Sequence, residues 1–510
     1  MSVLAASPAV SILILSISAL ICAGGPQMRP RLSLLLSEAA TLCALALALL
    51  AALALALDGA RTFAVGALSF RLDLLSVVML LLVSFLGWVI TRFAVRYLDG
   101  EARQGMFMAW LLLALAGVTV LVSAGNVVQL VLGFVIAGTA LRRLVLFYAD
   151  RPQAQRAARK MMMASRAGDL ALIAGAGMLI WGFGTADIVT LNATASGSAA
   201  VIAAAFLVLG GVLKAAQFPL HGWLTDVIEA PTPVSALLHA GIVNAGGFVL
   251  IRLSDVLLNA PGIMAVLAIL GGFTALLGGL AMLAQPAVKT SLAWSTIAQM
   301  GFMMLQIGLG LFALAVLHIL AHSLYKAHAF LSSGSAVAQV LGVRRPGPVA
   351  VPSVRNVGRA FALALMIFAA VGLAFGVVGK APQAFALGAI LIFGIAYLIA
   401  QGLADAAPAA LTKRTTLASL VASASYFTLH AGIDWLMAGT LPATPAPSGL
   451  EWAVLVLVVL SFGLVALAQA LFPLWASHPA AQGLRVHLAN GLYVATLIDR
   501  LTGRLPATHR

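Results

Sequence analysis

Apolar runs of about 20 residues, the length an α-helix needs to cross the hydrocarbon core of a bilayer, recur along this chain from residue 8 to residue 472. They fall at residues 8–25, 39–57, 74–90, 105–124, 127–148, 168–184, 201–218, 233–253, 263–284, 291–311, 312–335, 359–378, 384–403, 415–437 and 450–472. Allowing for merged or re-entrant segments, they predict roughly 13–15 spans. Composition agrees. Of 510 residues, 62% are hydrophobic and 9% charged, with a mean hydropathy of +1.09. A soluble protein of this length would be about one quarter charged, so lipid is the solvent for most of the surface. Length alone suggests about three domains, yet no soluble module is visible. The longest polar stretch, residues 141–166, reads as a loop with helical ends. The N-terminal run lacks the basic start of a signal peptide and is followed by further spans, so it reads as the first span. Cys22 and Cys43 sit inside apolar runs and read as small apolar helix residues, too few for a disulfide framework or a four-ligand zinc site.

The formal charge of +14 does not point to nucleic acid, because the arginines are dispersed among loops in a topological pattern. The first loop holds Arg29 and Arg31, the third Arg92, Arg96 and Arg103, and the fifth Arg142, Arg143, Arg151, Arg156, Arg159, Lys160 and Arg166. The intervening loops are neutral or acidic. The positive-inside rule then places the odd loops in the cytoplasm and the N-terminus in the periplasm of a bacterial inner membrane. Beyond Pro473, Leu484, Leu488, Tyr493, Ala495 and Ile498 gather on one helical face and Arg485, Asn490, Asp499 and Arg500 mostly on the other. That pattern predicts an amphipathic tail helix lying on the membrane or against a partner, or a simple surface helix. The chain divides into N-terminal helices (1–104), a core (105–340), second-half helices (341–472) and the tail (473–510).

Ionisable groups at membrane depth are costly and ordinarily mark an ion path. Lys214 lies deep in the run VIAAAFLVLGGVLKAAQFPLHGW, followed by Gln217 and His221 on roughly one helical face. Pro219 removes a backbone donor and predicts a broken helix, tolerated only where protein or a water-filled cavity satisfies the backbone. Snorkelling to the interface is the competing account of such a lysine. Asp226 and Glu229 precede a Pro-Thr-Pro turn, and His239 follows two turns into the next apolar segment as a relay candidate or a satisfied structural histidine. His318, His322 and Lys326 recur every fourth residue, one stripe of one helix. Lys289 stands at the entrance of the preceding segment with Ser295, Gln299 and Gln306 within it. An HxxxH pair also has zinc-ligand spacing, but no third ligand is near and no glutamate lies between, so no metal is assigned to this chain. There is no nucleotide-binding glycine loop, nucleophile elbow or CxxC, so an enzyme in its own right is not expected. A passive anchor would be apolar throughout, which these interruptions contradict.

The segments LKAAQFPLHGWLTDVIEAPTPVSALLHAG, VKTSLAWSTIAQMGFMML and LHILAHSLYKAHAFLSSGS resemble the core of the proton-translocating antiporter-like family, which includes the large membrane subunits of respiratory complex I and of Mrp sodium/proton antiporters. The resemblance implies an all-α polytopic membrane protein with two inverted five-helix repeats and broken helices. It also implies that Lys214 is the broken-helix lysine, that His239 is the histidine after the PTPVSA motif, and that Lys289, His318, His322 and Lys326 form a central polar axis.

Two departures narrow the subfamily. The family's fifth-helix glutamate, which pairs with the broken-helix lysine, is replaced here by Phe134 or Val135, and no acid follows in that stretch before Asp150. The distal lysine of the second broken helix has no counterpart, only Gln401 and Asp405 before Pro408. The family's lateral-helix extension also has no counterpart. ALRRLVLFYADRPQAQRAARK and HLANGLYVATLIDRL are similar to the membrane subunits (DabB) of DAB-type inorganic carbon accumulation complexes. That similarity implies a soluble, zinc-containing, carbonic-anhydrase-like partner (DabA), with H+ or Na+ entry through the membrane subunit driving CO2 hydration to bicarbonate. A cation/proton antiporter or respiratory-complex subunit is the alternative. Without the fifth-helix acid, Lys214 is expected to be governed by Asp226, Glu229 or water near Pro219.

Overall fold

In a computed structural model of the chain, residues 3–24, 30–335, 353–375, 381–402 and 409–501 are described. The chain opens with α1 (Ser7–Gly24) and α2 (Pro30–Asp58), then a hairpin of β1 (Arg61–Val65) and β2 (Leu68–Leu72). Next come α3 (Leu74–Tyr97), α4 (Gln104–Val122), α5 (Val127–Val145), α6 (Pro152–Phe183), the short α7 (Ile188–Thr194) and α8 (Gly197–Lys214). A disrupted region holds α9 (Gly222–Asp226), α10 (Thr232–Ala240), α11 (Ala245–Arg252) and α12 (Ser254–Leu258), followed by α13 (Pro261–Leu283), α14 (Val288–Gly308) and α15 (Phe312–Leu331). The second half contains α16 (Val354–Ala374), α17 (Pro382–Gly402), α18 (Ala409–Met437) and α19 (Gly449–Ala470), and the tail α20 (Phe472–Trp475), α21 (Pro479–Ala489) and α22 (Val494–Leu501).

Among the described residues, 12 helices are long and apolar enough to cross a membrane. α14, α17 and α18, with 21, 21 and 29 residues, pack in the same bundle. The helices pack through small residues, as expected where no water drives association. A Cβ added at Gly271, Gly278, Gly301 or Gly308 would lie 2.5–2.7 Å from facing backbone across the α13–α14 contact. Asp405 and Pro408, the site of the expected second break, lie outside the described residues.

The loops sort to two ends. At one end the hairpin clasps the α4–α5 and α6–α7 loops: the Arg71 and Gly125 amides donate to the Ser123 and Ser69 carbonyls at 2.9 and 2.8 Å, and the Val127 amide to the Ala186 carbonyl at 2.9 Å. Gly125 is required there, since a Cβ would meet Ser69 Oγ at 2.4 Å. The hairpin was not anticipated from the sequence. Asp73 caps α3 through the Ser76 amide, 2.9 Å, and also pairs with Arg252 at the end of α11, 2.6 Å, and with Arg71, 3.2 Å. Burial pushes the Asp73 carboxyl up. The Arg252 charge and hydrogen bond, with the Ser76 amide and Arg71, outweigh this and hold it well below the usual carboxylate range. The opposite, arginine-rich end carries the α3–α4 and α5–α6 loops, joined where the Tyr148 hydroxyl donates to Glu101 at 3.0 Å. The tail reaches this end too. The stretch expected as one amphipathic helix is two, α21 and α22, broken at Gly491–Tyr493, where three successive residues take positive φ.

Candidate functional site

The α8 helix stops at Lys214. Ala215 caps it, Ala216 turns to φ +50°, and the chain stays non-helical until α9 begins at Gly222. Pro219 cannot donate, and the Phe218 amide is satisfied from outside the segment by Thr274 Oγ1 on α13, 3.2 Å. The break therefore forms where the sequence places it.

Lys214 does not snorkel. Its Nζ lies 2.6 Å from Asp169 Oδ1 and 2.9 Å from Ser165 Oγ, both on α6, and the two charged side chains are only 6% and 7% exposed. The Phe134 ring on α5 lies 4.8 Å from the ammonium. Gly168 makes room for the stem, since a Cβ there would stand 3.1–3.3 Å from Lys214 side-chain carbons. An ion pair removed from water holds only when its geometry is good and its remaining hydrogen bonds are made; Ser165 supplies one. Arg166, 55% exposed, reaches the other Asp169 oxygen at 3.8 Å.

This corrects the expected governor of Lys214. Asp226 instead pairs with Lys160, 2.6 Å, and Glu229 is exposed on a short 3-10 turn. Burial raises the Asp226 carboxyl, with Lys160 offsetting only part of that. The reason is positional: both acids follow the break and lie toward the arginine-rich end, while Lys214 precedes it and turns toward α6. The carboxylate that sequence reasoning missed, Asp169, sits just inside an apolar run, DLALIAGAG. An acid so placed was itself the signal.

The other candidates form a second group. His239 is fully buried, with Nδ1 3.1 Å from Thr296 Oγ1 on α14 and its ring stacked on Phe330 at 4.4 Å. His322 Nε2 donates to the His239 carbonyl, 3.1 Å, which fixes that nitrogen as the protonated one. His318 and His322 stack at 5.9 Å along α15. Lys326, with no exposed surface, donates to the Leu292 carbonyl at 3.0 Å. Lys289, half-buried at the start of α14, donates to Thr232 Oγ1 at 3.2 Å. Thus His239, His318, His322 and Lys326 converge between α10, α14 and α15, while Lys289 (bonded to Thr232 at the start of α10), Asp226 and Glu229 stand apart.

A small cavity lies beside the lysine. Phe134, Ser165, Lys214 and Trp223 line it together with Leu238, Ile242 and Val243. Nε2 of His239, Nε2 of His318 and Nε1 of Trp223 are buried without a protein partner. Buried polar atoms of this kind ordinarily bind water. The arrangement places a buried ammonium–carboxylate pair and, separately, a group of buried imidazoles with unpartnered nitrogens in one bundle.

Comparison with known proteins places these residues in context. Residues 124–399 match the family described as NADH:quinone oxidoreductase/Mrp antiporter, transmembrane. Residues 63–108 match the N-terminal segment of complex I chain 5. A probable inorganic carbon transporter subunit, DabB2, of Halothiobacillus neapolitanus is 38% identical over 453 residues, 86% of this chain and 80% of the relative. A probable DabB subunit of Hydrogenovibrio crunogenus is 38% identical over 288 residues, 55% of each chain. The Mrp complex of a Dietzia species contains a chain that superposes with a TM-score of 0.64 at 22% identity, covering 98% of this chain and 61% of that one. This last likeness is one of fold.

Proposed function

Because the chain belongs to the NADH:quinone oxidoreductase/Mrp antiporter family, and within it to the DabB-type inorganic carbon transporter subunits, we propose that it is the ion-conducting membrane subunit of a two-component inorganic carbon uptake complex. The observation that carries this reading is the Lys214–Asp169 pair, buried at a helix break with Lys214 lining a small cavity. The coupling ion is H+ or Na+. In the proton case Asp169 and Ser165 hold the Lys214 ammonium until a charge arriving through the cavity weakens the pair. The proton then moves to the imidazoles of His239 and His322 and toward His318 and Lys326. The arginine-rich end faces the cytoplasm and the N-terminus the periplasm, as the loop charges indicate. Hydration of CO2 to bicarbonate falls to a soluble zinc-containing subunit akin to carbonic anhydrase, and ion entry through this chain makes that reaction directional.

The test is growth in air of cells lacking carbonic anhydrase, co-expressing this chain and its soluble partner. The wild-type pair should support growth, and Lys214→Ala, inserted at normal levels, should not. Unimpaired growth of Lys214→Ala overturns the assignment. Sodium-dependent pH changes in vesicles holding this chain without the partner would favour a cation/proton antiporter instead.

A further inference from the structure

Three segments distant in sequence meet beneath the broken helix at the arginine-rich end. Lys160 Nζ on α6 lies 2.6 Å from Asp226 Oδ2 at the end of α9 and 2.6 Å from Asp499 Oδ2 on α22. Beside this triad the tail presses on the break itself. A Cβ at Gly222 would stand 2.7 Å from the Ala495 Cβ, and one at Gly491 would stand 2.8 Å from the Trp294 indole and 3.9 Å from His221 Nε2. Trp294 in turn lies against the His221 ring, 5.1 Å between centroids. Gln285 Nε2 donates to the Ala489 carbonyl at 3.2 Å. Under this cover His221, seven residues beyond Lys214, is 1% exposed.

The cover is held by contacts of a kind that release easily. The triad's side chains are 28%, 35% and 40% exposed, and ion pairs so placed are weak and screened by salt. The tail itself contributes the small residues Gly491 and Ala495 to the contact, against Trp294 and Gly222, while Leu484, Val486 and Leu497 are exposed. Segments with few buried apolar contacts open at low cost.

We propose that the C-terminal tail is a gate on the lysine site: closed by the Lys160–Asp226–Asp499 triad, it seals the arginine-rich end of the ion path and must lift for ions to pass. The proposal rests on the reading of Lys214 as part of that path. Lifting the tail exposes His221 to water on that side and takes Asp499 away from Lys160, which keeps Asp226 as its partner.

The test locks the gate. Gly222→Cys with Ala495→Cys, in a Cys22→Ser, Cys43→Ser background, places two thiols whose Cβ atoms need only about 1 Å of added separation to form a disulfide. Potential-driven proton uptake is measured in proteoliposomes of the full chain with its partner subunit. Oxidation should lower uptake at least tenfold, and dithiothreitol should restore it. Equal uptake in both states, with the disulfide verified by mass spectrometry, overturns the gate while leaving the lysine reading intact. As a second variant, Asp499→Asn should raise uptake several-fold and Asp499→Glu leave it near wild type. Unchanged or reduced uptake in Asp499→Asn also overturns the gate. Absence of both proton and sodium uptake in the wild type sinks the ion-path reading and the gate with it.

Discussion

Replacing Asp169 strands a buried ammonium. Lys214 and Asp169 are 2.6 Å apart with side chains 6% and 7% exposed, so both charges are shielded from bulk water. Removing one partner of such a pair costs about 3–5 kcal/mol, whereas replacing both by apolar groups of similar volume is often close to neutral. Asp169→Leu and Lys214→Met are therefore each expected to lower unfolding free energy in mixed detergent micelles by about 3–5 kcal/mol. The double variant should recover most of that loss. Arg166 would lose its 3.8 Å partner in the double variant, but at 55% exposure this changes stability by less than about 1 kcal/mol. Growth of carbonic-anhydrase-deficient cells in air should be lost in all three variants. A purely structural pair predicts the opposite for the double variant, with stability and function returning together. Growth of the double variant at the wild-type rate would refute the reasoning.

Phe134, 4.8 Å from the Lys214 ammonium, occupies a position from which a carboxylate could reach it. Phe134→Glu in an Asp169→Asn background should restore part of the lost growth; a folded but inactive double variant counts against Asp169 acting through its charge. At the other end of the bundle Asp73→Asn should cost about 3 kcal/mol by stranding Arg252, 5% exposed. Because Asp73 is held below its ordinary value, its contribution is complete above about pH 4 and fades as pH falls through its folded value. Stability measured downward from pH 6 should thus decline less in Asp73→Asn than in wild type, and parallel curves would contradict the pairing.

What was legible in the sequence was local. A helix break follows from Pro219 within an apolar run, and the face shared by His318, His322 and Lys326 follows from four-residue spacing, with no knowledge of what packs against it. What was not legible depends on tertiary contact. Asp169 and Lys214 are 45 residues apart and meet only because α6 and α8 pack together. Lys160 and Asp499 are 339 apart. The fifth-helix position drew attention to an absent acid at Phe134, while the acid that serves had moved to the next helix. The hairpin carries a period-two alternation in LSFRL, concealed by the charged residues around it. The tail's apolar face was visible, but Asn490–Gly491, a turn-forming pair, divides it.

The central claim is that charge crosses the membrane along Lys214, His239, His322 and Lys326. It is tested most directly by proton flux into liposomes under an imposed membrane potential, comparing wild type with His322→Gln. Glutamine keeps an N–H for the His239 carbonyl, 3.1 Å away in the wild type, but cannot relay a proton at physiological pH. The account predicts flux in the wild type and a loss of at least tenfold in a stable, correctly inserted His322→Gln. Equal flux in the two proteins would contradict it.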